Sequence, residues 1–295
     1  MKRMVDRFAV WLALVLCTGV MPGFVQAFEV DPKVTCHHVI RTNPNISLYW
    51  VWLNLADTNV TVQVAKAGNP PAAATNWVTS LLPTTAIAER EHFDFAVNGD
   101  FFDAEKTVDI EGKNTGYITG KAAAPIGPAM SDGKLWHHAS HARPCLEITR
   151  SHTAKIYDFR PKNPLDDASV EMIGGGPILI RHGQNLIGTN DASQVRAPRT
   201  AVGIDGTGTR LLFLEVDGRQ PNLSIGMTMA ELAAEMGRLG CQEALNLDGG
   251  GSSTFVWRDG SEKPLRILNS PSDSKERAVA NVIGATFSRP REVVE

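Results

Sequence analysis

The sequence has little of what marks a nucleic-acid-binding, disordered or disulfide-stabilised protein. Its 29 Lys and Arg residues are outnumbered by 32 Asp and Glu residues, so no basic excess indicates a nucleic-acid partner. Hydrophobic residues make up 43% of the chain, which excludes intrinsic disorder. Only four cysteines occur, and a chain of 295 residues buries a large enough core to fold without disulfides. These absences leave an ordinary globular protein.

The N-terminal segment has the layout of a secretory signal peptide. Three basic residues precede the apolar stretch 8–20, and the tripeptide Val-Gln-Ala that ends at Ala27 offers a small-residue cleavage site. The alternative is an uncleaved membrane anchor, but the apolar stretch is short for a bilayer span. We expect residues 1–27 to be removed and the remaining chain to be secreted or periplasmic, without a membrane span.

Disulfide and metal chemistry receive little support from the sequence. Three cysteines would remain after signal cleavage, which allows at most one internal disulfide, and the spacing does not decide the pair: Cys36, Cys145 and Cys241. His137 and His141, with His138 between them, would suit a metal only if their segment were helical. The surrounding Ala, Ser and Pro residues indicate a loop, and no carboxylate completes the set. We therefore expect no metal and no cofactor.

Strand signals dominate the chain after residue 27. Residues 48–55 and 60–64 have strand composition and are joined by a turn-rich segment. Two pairs of short apolar runs flank tight turns, at 182–183 and at 205–208, and each pair predicts a hairpin. A last strand is predicted over 281–287.

Helix signals are few. One helix is predicted over 84–91 after a proline, and another begins at a capping box of Thr228 and Glu231 and ends near Gly240. We predict the α+β class: a single domain of mainly antiparallel hairpins with a few packed helices. Residues 28–75 would supply its N-terminal strands, and residues 76–295 the remainder.

Four segments place glycine and a polar side chain directly after a predicted strand. They are Asn98-Gly99-Asp100, the glycine run 174–176, Asp217-Gly218-Arg219 and the segment 248–253. Each one alone is most simply a hairpin turn, since Asp-Gly and Asn-Gly favour such turns. The last, Asp-Gly-Gly-Gly-Ser-Ser, is longer than a turn requires, and its N–H groups and hydroxyls suit an anion.

Together these segments supply carboxylates, arginines and a glycine turn that accepts an anion. The segment 196–200 adds two further guanidinium groups at the start of a strand. Acidic groups for bond cleavage beside arginines for a phosphate are what an enzyme needs to act on a phosphorylated sugar. That interpretation requires the segments to meet in space.

The motifs also resemble a known family. The segments NGDFF at 98–102, GGGPIL at 174–179, RAPRTAVG at 196–203, VDGR at 216–219 and LNLDGGGSST at 245–254 occur in the order typical of the phosphodiester glycosidase family. The resemblance covers roughly residues 94–287. It implies hydrolysis of the glycosidic C–O bond of a sugar-1-phosphodiester, which releases a sugar and a phosphomonoester. The substrate would be a phosphorylated carbohydrate or an envelope glycopolymer.

The reaction implied by this resemblance suggests roles for the residues. A phosphomonoester leaves as a stable anion, so it needs cationic and N–H donors more than a proton. We expect Asp248 to face the anomeric carbon as general base or nucleophile, with Asp217 as second choice and Asp100 as a third carboxylate that, with Asn98, orients sugar hydroxyls. The expected substrate-binding residues are Asn98, Arg199, Thr200, Arg219, Gly249, Gly250, Gly251, Ser252, Ser253, Glu276 and Arg277.

Two other functions remain open at this point. The chain would act as a non-catalytic module for envelope glycopolymers if the anion-binding turn served binding alone. It would act as a metal-dependent phosphodiesterase if the P–O bond were cleaved instead of the C–O bond.

Overall fold

The computed structural model describes residues 24–31, 34–106, 116–188, 194–260 and 262–288. Most of the predicted signal peptide, residues 1–23, lies outside this set. The described part begins with a strand, Phe24–Asp31, that crosses the predicted cleavage site and pairs with Val34–Arg41. No helix in the described part is long and apolar enough to cross a membrane.

The N-terminal half alternates strands with one short helix. Its elements are β1 Phe24–Asp31, β2 Val34–Arg41, β3 Ile46–Asn54, β4 Val60–Lys66, β5 Thr79–Ser80, β6 Leu82–Pro83, α1 Thr84–Arg90, β7 Phe95–Asn98, β8 Phe102–Ala104, β9 Ala122–Pro125, β10 Ala129–Ser131 and β11 Lys134–His137.

The C-terminal half adds twelve more strands and a second helix among the described residues. Its elements are β12 Arg143–Thr149, β13 Ala154–Phe159, β14 Ser169–Gly174, β15 Ile178–Arg181, β16 Gln184–Asn185, β17 Arg199–Ile204, β18 Arg210–Val216, α2 Met229–Arg238, β19 Glu243–Asn246, β20 Phe255–Arg258, β21 Leu265–Ile267, β22 Ala278–Val279 and β23 Asn281–Phe287. A single 3-10 turn, Gly250–Ser252, follows β19.

Three antiparallel sheets form the body of the protein. The largest has the strand order β1-β2-β3-β18-β17-β19-β15-β16. Two five-stranded sheets, β21-β20-β7-β23-β4 and β11-β10-β14-β12-β13, pack on its inner face. The predicted hairpins β15–β16 and β17–β18 are confirmed, whereas β3 and β4, which are neighbours in sequence, belong to different sheets.

Alternation of side chains along the strands produces a layered core. In β18, Leu211 and Phe213 point into the space between the sheets, whereas Leu212 and Leu214 point outward to the side that carries α2. In the same way Ala96 of β7 faces the outer cluster that contains α1. The order of layers is therefore helix, sheet, sheet, helix.

The predicted α+β class is wrong, because the structure is a β-sheet protein with two small helices. The helices α1 and α2 have 7 and 10 residues and only cover the outer faces of sheets. The helix predictions were correct in place, and the capping box of Thr228 and Glu231 is formed. The prediction gave the helices too large a share of the fold. The central core is formed by sheets packed on one another, and neither helix contributes a residue to it.

The three cysteines of the described residues are buried and free of disulfides: Cys36, Cys145 and Cys241. Burial raises the pKa of each thiol, that of Cys241 to about 12. They therefore behave as small apolar core residues.

Candidate active site

The motifs converge because of strand direction in the largest sheet. The strands β18 and β19 are both antiparallel to β17, which lies between them, so they run parallel to each other. The C-terminal ends of β18 and β19 are followed by Asp217 and Asp248. These ends therefore lie at the same end of the sheet as the first residue of β17, Arg199. Distant segments of sequence meet there without any local signal.

Asn98, at the end of β7, connects the five-stranded sheet that contains β7 to this end of the largest sheet by hydrogen bonds. Its Nδ2 donates to the carbonyl of Asp248 at 2.7 Å, and its Oδ1 accepts from Thr200 Oγ1 at 2.7 Å and from the N–H of Thr254 at 3.2 Å. Both Asn98 and Thr200 are fully buried. Their side chains are thus occupied behind the site and position Asp248, although the sequence had suggested contacts with substrate.

Asp248 begins the glycine turn and carries its carboxylate. The Asp248 N–H donates to Gly99 O at 3.0 Å, and the N–H of Gly249 donates to Asp248 Oδ1 at 2.8 Å. Burial raises the pKa of Asp248, while hydrogen bonds from the Ser252 hydroxyl and Gly249 and the charge of Arg277 act in the opposite direction. The residue as a whole is partly exposed, and these hydrogen bonds hold its carboxylate in one orientation.

The N–H groups of the turn are mostly committed to protein acceptors. Gly250 N donates to Pro198 O at 2.9 Å, Ser252 N to Gly249 O at 3.2 Å and Ser253 N to Gly250 O at 3.3 Å. With Asp248 N on Gly99 O and Gly249 N on Asp248 Oδ1, five of the six N–H groups of the segment 248–253 are used. An anion at this turn would therefore take its hydrogen bonds chiefly from side chains, whereas the sequence had suggested N–H groups.

Two arginines lie near each other, and one of them, Arg219, lies against the turn. Arg219 is exposed and has a backbone φ of 61°, and its Nη2 would be 3.1 Å from a Cβ added at Gly250. Arg199 donates through Nε to Met227 O at 3.0 Å and through Nη2 to Val195 O at 2.8 Å. Burial and then the charge of Arg219 lower the pKa of Arg199. Two adjacent cations of this kind are stabilised by an anion between them.

Arg277 brings a third guanidinium to the turn from another direction. It forms an ion pair with Asp273 at 2.7 Å, approaches Ser252 Oγ at 3.5 Å and lies 4.8 Å from the ring centre of Tyr117. The neighbouring Glu276 points the other way. Its Oε1 accepts from the first N–H groups of α1, so it caps a helix and does not face the turn.

Asp100 is the second carboxyl group beside Asp248. Its N–H donates to Asn281 Oδ1 at 2.9 Å, and its Oδ2 accepts from the N–H of Gly127 at 2.6 Å. Gly174 lies so close to this carboxylate that a side chain there would collide with it, which explains one glycine of the run. Burial, with a smaller contribution from the charge of Asp248, raises the pKa of Asp100 to about 7.

A cavity of about 550 Å³ opens in front of Asp100. It is lined by Asp100, Phe101, Ile126, Arg143, Pro144, Gly175, Gly176 and Pro177. The exposed Arg143 acts against the rise in the pKa of Asp100, so its positive charge lies near that carboxyl group. Sequence reasoning missed Arg143, and also Tyr117 and Asp273 beside Arg277, because none of the three belongs to a motif.

Asp217 lies at the same end of the largest sheet, but its side chain points into the protein. Its Oδ1 accepts from Ser270 N at 2.7 Å, its Oδ2 accepts from Ser47 Oγ at 2.9 Å, and only 1% of the residue is exposed. Burial raises the pKa of Asp217 to about 6 and that of the neighbouring Glu215 well above its usual range. The structure therefore brings Asp217 near the turn, yet behind it and out of the cleft.

The histidines of the sequence analysis do not gather around one point. His137 Nδ1 is 2.7 Å from Gly127 O, and His141 Nδ1 is 2.9 Å from Ser140 Oγ. Within the described ranges no group of three or more His, Cys, Asp or Glu side chains is arranged to hold a metal ion.

Comparison with known proteins identifies the family. The sequence model of the phosphodiester glycosidase family matches residues 91–286. The chain belongs to the phosphodiester glycosidase family. This confirms the resemblance seen in the five motifs. The matched region contains Asp100, Asp248 and Arg277, whereas β3 and β4 precede it and extend its sheets by pairing with β18 and β23.

Two mammalian relatives carry the same enzyme name, N-acetylglucosamine-1-phosphodiester α-N-acetylglucosaminidase. The mouse protein is 28% identical over 162 residues, which are 49% of this chain and 31% of the relative. The bovine protein is 34% identical over 162 residues, which are 49% of this chain and 30% of the relative. The matching part thus spans about a third of the length of these relatives.

Solved structures share the fold of this phosphodiester glycosidase domain. A zebrafish structure, described as the catalytic domain of the same enzyme auto-inhibited by its pro-peptide, has a TM-score of 0.62 at 21% identity and covers 92% of this chain and 90% of its own. A putative exported protein from Burkholderia pseudomallei has a TM-score of 0.63 at 17% identity and covers 82% and 74%.

Proposed function

We propose that the protein hydrolyses the glycosidic C–O bond of a sugar-1-phosphodiester and releases a sugar and a phosphomonoester. One observation carries the proposal: the Asp248 carboxylate and the guanidinium groups of Arg219 and Arg277 meet at the glycine turn 248–252, and the guanidinium of Arg199 lies near that of Arg219. A carboxylate suits an electron-poor anomeric carbon, and arginines suit a phosphate, so both halves of the bond have partners.

The arginines would bind the phosphate and stabilise it as it leaves. Arg199 and Arg219 are close enough for the charge of one to lower the pKa of the other, and a phosphate between them removes that repulsion. Negative charge on the phosphate oxygen grows as the C–O bond breaks, so these contacts strengthen toward the transition state. No proton donor is needed for this leaving group.

Asp248 would act on the sugar side as general base or nucleophile. Its hydrogen bonds from Gly249 and Ser252 hold the carboxylate in place, which favours a reactive geometry. Asp100, whose pKa is about 7, lies beside it and exchanges protons near neutral pH. We assign Asp100 to proton transfer or to a sugar hydroxyl at the wall of the 550 Å³ cavity.

Export and an envelope glycopolymer substrate belong to the same proposal. The N-terminal pattern of basic residues, an apolar stretch and a small-residue site supports export, as does the similarity to a protein described as putatively exported. A glycosyl phosphodiester within a cell-envelope polymer would then be accessible to the enzyme.

Hydrolysis in ¹⁸O-labelled water tests the proposed reaction. The purified protein is incubated with glycosyl phosphodiesters and nucleotide sugars, and free sugar and phosphomonoester are analysed by mass spectrometry. Cleavage of the C–O bond places the label in the sugar. Label in the phosphate would instead establish P–O cleavage, and saturable binding without product would establish a binding module; either result contradicts the proposal.

A further inference from the structure

A second cavity lies where β4, the edge strand of one sheet, faces β10 and β14 of another sheet. It has a volume of about 490 Å³ and opens between β4 and the hairpin of β10 and β11. Its polar and aromatic lining includes Gln63, Lys66, Asn69, Asp132, Lys134 and Trp136. A volume of this size is in the range of small-ligand sites. None of these residues has a part in the proposed hydrolysis.

The free edge of β4 forms no backbone ladder with the sheet that it faces among the described strands. β4 pairs only with β23 within the described strands, and two side chains bridge the gap from the other sheet. Glu171 accepts from Val64 N at 2.7 Å and from Asp132 N at 2.9 Å, and Ser131 Oγ donates to Val64 O at 2.6 Å. These bonds satisfy the edge of β4 and hold the two sheets apart at a fixed spacing.

Trp136 is fixed in orientation on one wall of this cavity. Its Nε1 donates to Ser131 Oγ at 3.0 Å, the same hydroxyl that donates to Val64. The residue remains partly exposed, so part of the indole is open to the cavity. An aromatic ring that is held by its polar atom while its apolar surface meets solvent can stack on the C–H face of a sugar ring.

Uncompensated positive charge lies beside this ring. The ammonium groups of Lys66 and Lys134 have no ion-pair or hydrogen-bond partner among the described residues, and both residues line the cavity. Arg90, also at the cavity, is instead neutralised by Glu91 at 2.7 Å. Two lysines against one unpaired carboxylate, Asp132, leave the lining net positive.

We propose that this cavity binds a short anionic oligosaccharide, with Trp136 stacked on a sugar ring and Lys66 and Lys134 bound to its anionic groups. The side chains of Gln63, Asn69 and Asp132 supply hydrogen-bond partners for hydroxyls. The cavity shares no lining residue with the active-site cavity. His137, the residue after Trp136, contacts Gly127, whose N–H holds Asp100.

Calorimetric titration with trigalacturonate tests the proposal. Maltotriose, a neutral trisaccharide, and inorganic phosphate, an anion without a sugar, serve as matched probes. We expect saturable binding of trigalacturonate with one site per chain, at least about tenfold tighter than either probe. No saturable binding of trigalacturonate overturns the proposal. Equal affinity for maltotriose would show that the lysines select nothing, and equal affinity for phosphate would show that Trp136 contributes nothing; either result overturns it as well.

Variants locate the site without reference to turnover. Lys66→Gln with Lys134→Gln should weaken trigalacturonate binding at least about tenfold and reduce its dependence on salt, because both ligand contacts are ionic. The matched control is Lys162→Gln with Lys263→Gln, two exposed lysines outside the cavity, which should bind as wild type. An equal loss in both double variants would reveal general charge attraction and overturn the site.

The aromatic contact is tested by two substitutions of one residue. Trp136→Leu should weaken binding by about tenfold, whereas Trp136→Phe keeps a ring and should retain most of the affinity. Asp248→Asn should bind trigalacturonate as wild type, because the active site is not involved. This binding assay stands or falls independently of the proposed hydrolysis, and loss of binding in Asp248→Asn would place the ligand in the active site and overturn the proposal.

Discussion

Two Asp-Gly segments lie at the same end of the largest sheet, but the aspartate of one is buried and that of the other is partly exposed. Asp217 and Asp248 each follow the end of a strand, and one strand, β17, lies between them. The carboxylate of Asp217 is closed in by Ser270 and Ser47, whereas Asp248 is a partly exposed residue that begins the turn approached by Arg219 and Arg277. The Asp-Gly motif places an aspartate at the end of a strand. The residues packed around that aspartate decide whether it stabilises the fold or acts in the reaction.

Asn269 shows why Asp217 lies inside. Its Nδ2 donates to Glu215 Oε1 and to Ser253 O, both at 3.1 Å, and lies 3.5 Å from Asp217 Oδ1. The buried acidic pair therefore holds the segment that follows the glycine turn from behind. In this arrangement one aspartate supports the turn and the other works on its open side.

The largest expected difference is between Asp248→Asn and Asp217→Asn. Asp248→Asn should lower turnover of a sugar-1-phosphodiester by about 10³-fold or more, because the carboxylate that faces the sugar is lost, and should leave the thermal midpoint close to wild type. Steady-state kinetics and thermal melting of the purified variant provide the measurement.

Asp217→Asn should have the reverse profile. The new amide opposes the Ser270 N–H or the Ser47 hydroxyl, so the free energy of unfolding should fall by about 1–3 kcal/mol. At temperatures well below the thermal midpoint of the variant, its turnover should remain within about tenfold of wild type. If Asp217→Asn abolished turnover without loss of stability, the comparison between the two aspartates would be broken.

Stability should depend on pH through the buried carboxyl groups. The folded-state pKa of Asp100 is about 7 and that of Asp217 about 6, both above the usual value, so the folded protein retains protons that the unfolded chain releases. This stabilisation is fully present below about pH 4 and is lost as the pH rises through 6 to 7. The protein should therefore be less stable at pH 8 than at pH 5.

Asp100→Asn isolates the contribution of Asp100 to that trend. We expect the loss of unfolding free energy between pH 5 and pH 8 to be about 2–3 kcal/mol smaller in the variant than in wild type. Chemical denaturation at the two pH values measures it. The same loss in both proteins would mean that Asp100 ionises normally in the fold.

The smallest expected effect concerns the arginines. Arg219→Lys should lower kcat/KM for a sugar-1-phosphodiester by about tenfold, with a fall in kcat, because an ammonium cannot replace the two parallel hydrogen bonds of a guanidinium that strengthen toward the transition state. Arg210→Lys is a matched control, since Arg210 is exposed and stacks on Trp52. An unchanged kcat/KM in Arg219→Lys would remove Arg219 from phosphate binding.

Local features of the fold could be predicted from the sequence, and long-range ones could not. The start of α2 was predictable because its capping box joins Thr228 and Glu231, three residues apart. The hairpin of β17 and β18 was predictable from a four-residue turn. The fold class was wrong because nothing local states that sheets, and not helices, face each other across the core.

The candidate site divides in the same way. Asp248 and Arg219 lie in motifs and were identified, whereas Arg143 and Tyr117 reach the site from segments without any pattern. Glu276 was expected with Arg277 among the substrate-binding residues, but its carboxylate instead accepts from an N–H group at the start of α1.

The sequence by itself determined where strands, turns and helix caps form, which chemical groups are present and which family the motifs resemble. These properties depend on interactions between residues a few positions apart, and the order of residues specifies them. Tertiary structure alone decided that β18 and β19 run parallel on either side of β17. It also decided that Asp217 is buried while Asp248 is partly exposed, and that a cavity lies between β4 and the hairpin of β10 and β11. Those outcomes depend on strand order and on side chains that meet across a hundred or more residues, which hydrogen bonding and packing settle only when the whole chain has folded.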